Sequence, residues 1–215
     1  MNTDVLEDYI ATANLAALTQ LLNEQPQLAK APTSHGVSPL MLACYYKKQE
    51  VVTLLLKHID EINLFEASAA GKLDVVAYML SNHPDSVNDF APDGFTPLGM
   101  ACYFGQAEVA RYLVMKGADV NLPSNNGYRV FPLHSAAANN YTEIARMLIN
   151  AGALVNIQQQ AGVTPMHSAA QNGNIDLLIA LLEKGADVSI RMEGGKLPAD
   201  LARDKGFKEI AEILE

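Results

Sequence analysis

The sequence contains no tryptophan, and only two of its 215 residues are cysteine, Cys44 and Cys102. Two thiols cannot make a disulfide framework, so stability must come from packing. Basic residues are scarce as well. Fifteen Lys and Arg stand against 24 Asp and Glu, a formal net charge of −9. That balance lacks the basic footprint with which nucleic-acid binders neutralise phosphates, and it disfavours an anionic membrane surface. The longest wholly aliphatic run, Leu177 to Leu182, is far short of the roughly 18 residues of a spanning helix. No Lys or Arg precedes Lys30, so the basic start of a secretory signal is missing. A soluble, cytoplasmic protein is expected. At 49% hydrophobic residues, the chain is too apolar to be disordered.

What is present is a repeat. Five prolines share a local setting: Ser38-Pro39-Leu40, Thr96-Pro97-Leu98, Phe131-Pro132-Leu133, Thr164-Pro165-Met166 and Leu197-Pro198-Ala199. Four residues after each stands an alanine: Ala43, Ala101, Ala136, Ala169 and Ala202. The prolines are 58, 35, 33 and 33 residues apart. The long gap hides a further unit, Asn63-Leu64-Phe65-Glu66-Ala67-Ser68-Ala69-Ala70-Gly71, which has the helix and its turn but no Thr-Pro. With Ala67 included, the alanine ladder steps by 24, 34, 35, 33 and 33. Units end on Ile62-Asn63, Val87-Asn88, Val120-Asn121, Val155-Asn156 and Val188-Ser189, and Gly-Ala closes three of them at 117–118, 152–153 and 185–186.

Each piece has a physical purpose. Ser or Thr caps a helix N-terminus, and Pro suits the first helical position, where no N–H is needed. Apolar stripes at helical spacing follow, such as Val51-Val52-Leu55-Leu56 and Leu177-Leu178-Leu181-Leu182, and only a stack of units can bury them. This pattern, with Thr164-Pro165-Met166-His167-Ser168-Ala169 as its clearest copy, resembles the ankyrin-repeat family. The lengthened loop before Pro132 and the segments Phe65-Glu66-Ala67 and Asp93-Gly94-Phe95-Thr96-Pro97-Leu98-Gly99 are similar to a short, single-domain bacterial-type class. The resemblance implies an all-α solenoid of about seven helix pairs with short β-hairpin fingers between them. One domain over residues 1–215 is expected: an N-terminal cap pair at 1–34, repeats at 35–63, 64–92, 93–124, 125–160 and 161–193, and a polar C-terminal cap repeat at 194–215. Two caps leave no room for a catalytic domain, so the chain is expected to be complete.

Two units depart from the period. Asn88 precedes Leu98 by ten residues, whereas Asn63 precedes Leu64 by one, so the 64–92 unit lacks the nine residues of a finger. Loops tolerate loss; the functional alternative is an opening in the row of fingers that exposes part of the groove. Conversely, Gly127 lies five residues before Pro132, where the other units have three. Tyr128 and Arg129 fall near the tip of that longer finger, and both residue types are enriched at binding hot spots. Phe131 replaces the capping Thr there.

No catalytic or metal constellation emerges, and no cofactor is expected. His134 and His167 occupy one repeat slot, which in the family pins a turn. Cys44 and Cys102 stand two units apart, about 16–20 Å at ordinary helix spacings, too far for a bridge. Asp85, Asp89 and Asp93 do not have calcium-loop spacing. A surface remains. The resemblance implies that partners meet the fingers and the free side of the first helices, where the exposed pairs are Tyr45-Tyr46, Ala69-Ala70, Tyr103-Phe104, Ala138-Asn139, Gln171-Asn172 and Asp204-Lys205. Four aromatics in two of these pairs, with Phe95 beside them, point to an aromatic-walled patch floored by Ala69 and Ala70. The alternative is that the rings pack on one another and on adjacent helices. The expected function is a non-catalytic, monomeric module holding an unidentified protein or peptide on its concave face through Tyr45, Tyr46, Phe95, Tyr103, Phe104, Tyr128 and Arg129. Other readings are an exported bacterial effector that acts by protein binding, or a small-molecule-binding protein.

Overall fold

Most units start their first helix with a side-chain cap, an exception being Phe131 before the helix Pro132–Ala138. Ser38 Oγ accepts from the Met41 N–H at 3.3 Å, and Thr96 Oγ1 accepts from Gly99 N–H at 3.0 Å. Pro39 and Pro97 take the first helical position, where their missing N–H costs nothing. The unit without Thr-Pro uses a different device. Asn63 Oδ1 accepts from the N–H groups of Phe65 and Glu66, and Glu66 Oε2 accepts from the Asn63 N–H at 3.1 Å. This reciprocal box replaces the lost cap.

The computed structural model describes residues 2–215. Its helices run in pairs: α1 (Asn2–Thr12) with α2 (Leu15–Glu24), α3 (Pro39–Tyr45) with α4 (Gln49–Leu55), α5 (Leu64–Ala70) with α6 (Leu73–Asn82), α7 (Pro97–Phe104) with α8 (Ala107–Met115), α9 (Pro132–Ala138) with α10 (Thr142–Asn150), α11 (Pro165–Gln171) with α12 (Ile175–Glu183), and α13 (Pro198–Asp204) with α14 (Lys208–Ile213). First helices pack on first helices from α3 through α13, and second helices form an outer layer. Between the layers lies one continuous core, with Leu40, Leu98, Leu133 and Met166 on the inner side and Leu55, Leu113, Leu148 and Leu177 on the outer. Each fully buried leucine contributes roughly 2–3 kcal/mol of transfer free energy.

Small residues set the spacing. Gly105 and Gly173 have φ of +77° and +65°, the left-handed turn that ends a first helix. A methyl group on either would come within 2.7 Å of the next unit's ring, Tyr141 or Phe207. Glycine here therefore serves both the turn and the stacking. The recurrent terminal asparagines are also bridges. Asn121 accepts from the Leu154 N–H and donates to Gly152 O, and Asn156 accepts from the Asp187 N–H and donates to Gly185 O.

No described residue is in a β-strand. The loops between units are tight turns, each closed across its base by a backbone bond, such as Ala91 N–H to Phe95 O at 2.8 Å and Gln159 N–H to Val163 O at 3.0 Å. Five residues, or seven at Ser124–Val130, make each turn but leave no arms for a ladder. In the outer layer α4 and α6 pack only loosely. There a groove of about 900 Å³ opens, lined by Leu56, Ile59, Val75, Tyr78 and Met79 among others.

Candidate functional site

Tyr45 ends α3, and Tyr103 and Phe104 end α7, two helices further along the inner layer. At ordinary packing distances those helices lie about 16–20 Å apart. Their rings nevertheless meet. Tyr45 lies 5.1 Å from Phe104 and 6.0 Å from Tyr103, centroid to centroid, both edge-to-face. Tyr103 contacts Phe104 at 5.0 Å and Phe95 at 6.3 Å. The intervening helix α5 permits this because Ala69 and Ala70 are its residues at that level and both are buried. The ends of α3 and α7 on the inner layer are thus bridged by their rings. Lys47, after α3, even reaches to within 6.0 Å of the Tyr141 ring before α10.

The rings thus pack on one another and still face solvent. Tyr45 and Tyr103 each remain 36% exposed while in contact. Tyr45, Phe95, Met100 and Tyr103 enclose an apolar slot of about 110 Å³. The Tyr45 hydroxyl donates to Asp93 Oδ2 at 3.5 Å. Burial, with the Asp93 carboxylate next in weight, pushes the phenol up to about 12, so it stays neutral. The other three residues singled out in the sequence lie apart from the cluster. Tyr46 is exposed and makes no ring contact. Tyr128 is exposed on the lengthened turn, and Arg129 beside it lies 6.0 Å over the Phe131 ring. Sequence reasoning overlooked Met100 and the bond to Asp93. The only signal for the latter was an acidic turn two units along from Tyr45.

A second feature adjoins the slot and shares Met100 with it. A cleft of about 420 Å³ opens between the Thr33–Val37 and Ala91–Phe95 turns, where the 64–92 unit has no finger.

The buried titratable groups serve the stack. His167 Nε2 donates to Lys196 O at 3.2 Å, and its Nδ1 accepts from the Thr164 N–H and hydroxyl. His134 Nε2 lies 2.9 Å from Val163 O. A carbonyl only accepts, so Nε2 carries the proton. With Phe131 in place of the threonine, His134 Nδ1 has no hydrogen-bond partner among the described residues. Burial lowers both imidazoles, His134 to about 4. Both thiols are free and buried, and burial raises both, Cys44 to about 12. Among the described residues no three His, Cys, Asp or Glu side chains converge to hold a metal, and no helix is long and apolar enough to cross a membrane.

A family profile described as "Ankyrin repeats (3 copies)" matches residues 64–159 and 121–192, and one described as "Ankyrin repeat" matches 35–65. The chain belongs to the ankyrin-repeat family. Its relatives include the rat ankyrin repeat and SAM domain-containing protein 6, 27% identical over 66% of this chain and 13% of that protein. A putative ankyrin repeat protein of Rickettsia felis is 33% identical over 57% of this chain and 54% of its own length. The probable 26S proteasome regulatory subunit p28 of Saccharomyces cerevisiae is 27% identical over 66% of this chain and 52% of its own length. The chain thus spans little of the first relative and about half of the other two. Ankyrin repeats are in general protein-interaction modules, and the Rickettsia relative is a bacterial one, in keeping with the resemblance.

Proposed function

We propose that this protein is a non-catalytic binding module that takes a protein or peptide segment onto its concave face, at Tyr45, Phe95, Tyr103 and Phe104. One observation carries the reading. Four aromatic rings from two units converge across a small-residue helix, and two of them stay 36% exposed beside an apolar slot. Clustered rings held by one another present a rigid apolar surface at low entropic cost, the composition of interaction hot spots. Tyr46, Tyr128 and Arg129 lie apart from this cluster and, being exposed, offer the partner separate contacts. The net charge of −9 favours basic or neutral partners over nucleic acid or anionic lipid. Two buried thiols suit a reducing, cytoplasmic setting. Titratable groups near the slot are structural or neutral, so no reaction is assigned to it.

The test is a variant carrying Tyr103→Ser and Phe104→Ser, checked first by urea unfolding. Wild type and variant are then used in parallel as affinity baits, with bound proteins identified by mass spectrometry. A protein held by wild type and lost by a folded variant supports the reading. Retention by both, or loss of the fold, overturns it.

A further inference from the structure

The turns between units are stitched to one another by main-chain bonds. Gly94 O accepts from Asn125 N–H at 2.9 Å, Tyr128 O from Gln160 N–H at 3.0 Å, and Ala161 O from Glu193 N–H at 2.9 Å. In each case the donor is the second residue of the following turn. At the first turn, Ser34 holds that position and donates instead to Glu7 Oε1 at 2.5 Å, so the N-terminal cap stands in for a preceding finger.

The stitching stops at one place. The carbonyls of His35 and Gly36 occupy the positions equivalent to Ala161 and Gly94, and no described residue donates to either. The next turn, Ala91–Phe95, has Pro92 as its second residue, which has no N–H to give. The glycines report the same break. A methyl on Gly94 would strike Asn125 Oδ1 at 2.5 Å and Asn126 N at 2.8 Å, and one on Gly162 would press on Met192 Cα at 3.0 Å. A methyl on Gly36 would meet nothing within 4 Å. The first turn therefore presents an unpaired main-chain edge to the 420 Å³ cleft.

The walls of that cleft restrict what can enter it. Val37, Met41, Phe65 and Met100 are apolar, Glu66 and Asp93 contribute two carboxylates, and no Lys or Arg lines it. His35 is already engaged by Glu7, 3.5 Å away.

We infer that a partner protein supplies the missing finger: an extended segment with a Lys or Arg enters the cleft, its main-chain N–H bonding Gly36 O and its cation lying between Glu66 and Asp93. Such augmentation of an open backbone edge draws affinity from the main chain and specificity from side-chain pockets. Met100 is common to the cleft and the aromatic slot, so one segment runs from the gap onto the rings. The inference rests on the protein-binding reading and names where on the surface, and through which chemistry, the partner enters.

The experiment uses the full chain and a phage-displayed library of random dodecapeptides. Selected peptides are synthesised and their affinities measured by fluorescence anisotropy. They are expected to carry Lys or Arg beside an apolar residue. They should bind about tenfold more weakly to a variant in which the nine residues Ile157 to Pro165, whose second turn residue Gln160 has an N–H to give, are copied in between Asn63 and Leu64, closing the gap from within. Asp93→Lys should weaken them by about tenfold or more, and so should N-methylation of one peptide residue, which removes the N–H that Gly36 O accepts. If the finger-restored variant does not fold, Asp93→Lys and the N-methyl series decide. Peptides that keep full affinity in these tests but lose it with Tyr103→Ser and Phe104→Ser overturn the gap and leave the aromatic reading standing. Selection of no peptide on wild type overturns both.

Discussion

The unpaired nitrogen of His134 makes the stack sensitive to acid, and the size of the effect follows from its surroundings. Its side chain is 1% exposed and its ring packs on Phe131 at 5.5 Å. Burial is the main cause that lowers the imidazole to about 4, with the Val163 and Ile157 carbonyls pulling weakly the other way. An unfolded histidine titrates near 6.5. Above that value both states are neutral and protonation contributes nothing to the difference between them. As pH falls below it the unfolded chain takes up a proton that the folded chain refuses. Stability is therefore lost between about 6.5 and 4, by roughly 3 kcal/mol in all and about 2 kcal/mol by pH 5. The assay is urea unfolding, followed by circular dichroism at pH 7.5 and pH 5, of wild type and His134→Gln. The variant should be less stable at pH 7.5, because it loses the bond to Val163 O and the packing on Phe131. Between the two pH values wild type should lose about 2 kcal/mol more than the variant. His167 is lowered by burial too, but it is present in both proteins and cancels. Equal losses would mean that His134 accepts a proton freely in the fold, and the argument from its buried, unpaired Nδ1 would fail.

Other consequences are open to simple measurement. Leu98→Ala, at a fully buried site, should cost about 2–5 kcal/mol in urea unfolding, whereas Leu154→Ala, at a site 54% exposed, should stay within about 0.5 kcal/mol. Gly117→Ala meets open space and should cost about 1 kcal/mol for its positive φ, but Gly105→Ala also strikes Tyr141 and should cost a further 1–3 kcal/mol or so; equal melting temperatures would refute the stacking role of Gly105. Cys44 and Cys102 should not react with an aromatic disulfide reagent at pH 8 until urea unfolds the chain, since both are buried and Cys44 is raised to about 12. Prompt labelling of the native protein would contradict that packing.

Periodicity made the helices legible before any coordinates. Prolines at a 33-residue step and alanines four residues on mark the starts and packing faces of α9, α11 and α13, because helix start chemistry is local. The terminal asparagines were visible as a pattern but not as bridges, since their partners lie about thirty residues away in the next unit. Asn63 shows why pattern alone misleads. It ends its unit as Asn88 and Asn121 do, yet with no finger after it the same side chain becomes a helix cap. The substitution of Phe131 for threonine announced a lost cap. It did not announce that His134 would lose its Nδ1 partner, because the bond from the cap threonine to the histidine three residues on is visible only in the folded unit, at Thr164 and His167.

The candidate site was half legible for a similar reason. Composition places aromatics at residues 45, 46, 103 and 104, but a helical wheel does not know the separation of two helices. That separation is set by α5, where residues 69 and 70 are alanine and no finger holds the flanking turns in line. Small side chains let Tyr45 lean across to Phe104, and the absent finger leaves the Gly36 edge open beside them. A deletion and two alanines in one unit thus give one region of the stack both its aromatic surface and its unpaired backbone. The longer turn at Tyr128 and Arg129 stays outside the cluster, although Tyr128 O bonds the next turn through Gln160 N–H. A residue is drawn into the site when a neighbouring unit makes room for it, and that condition belongs to the stacking rather than to the residue.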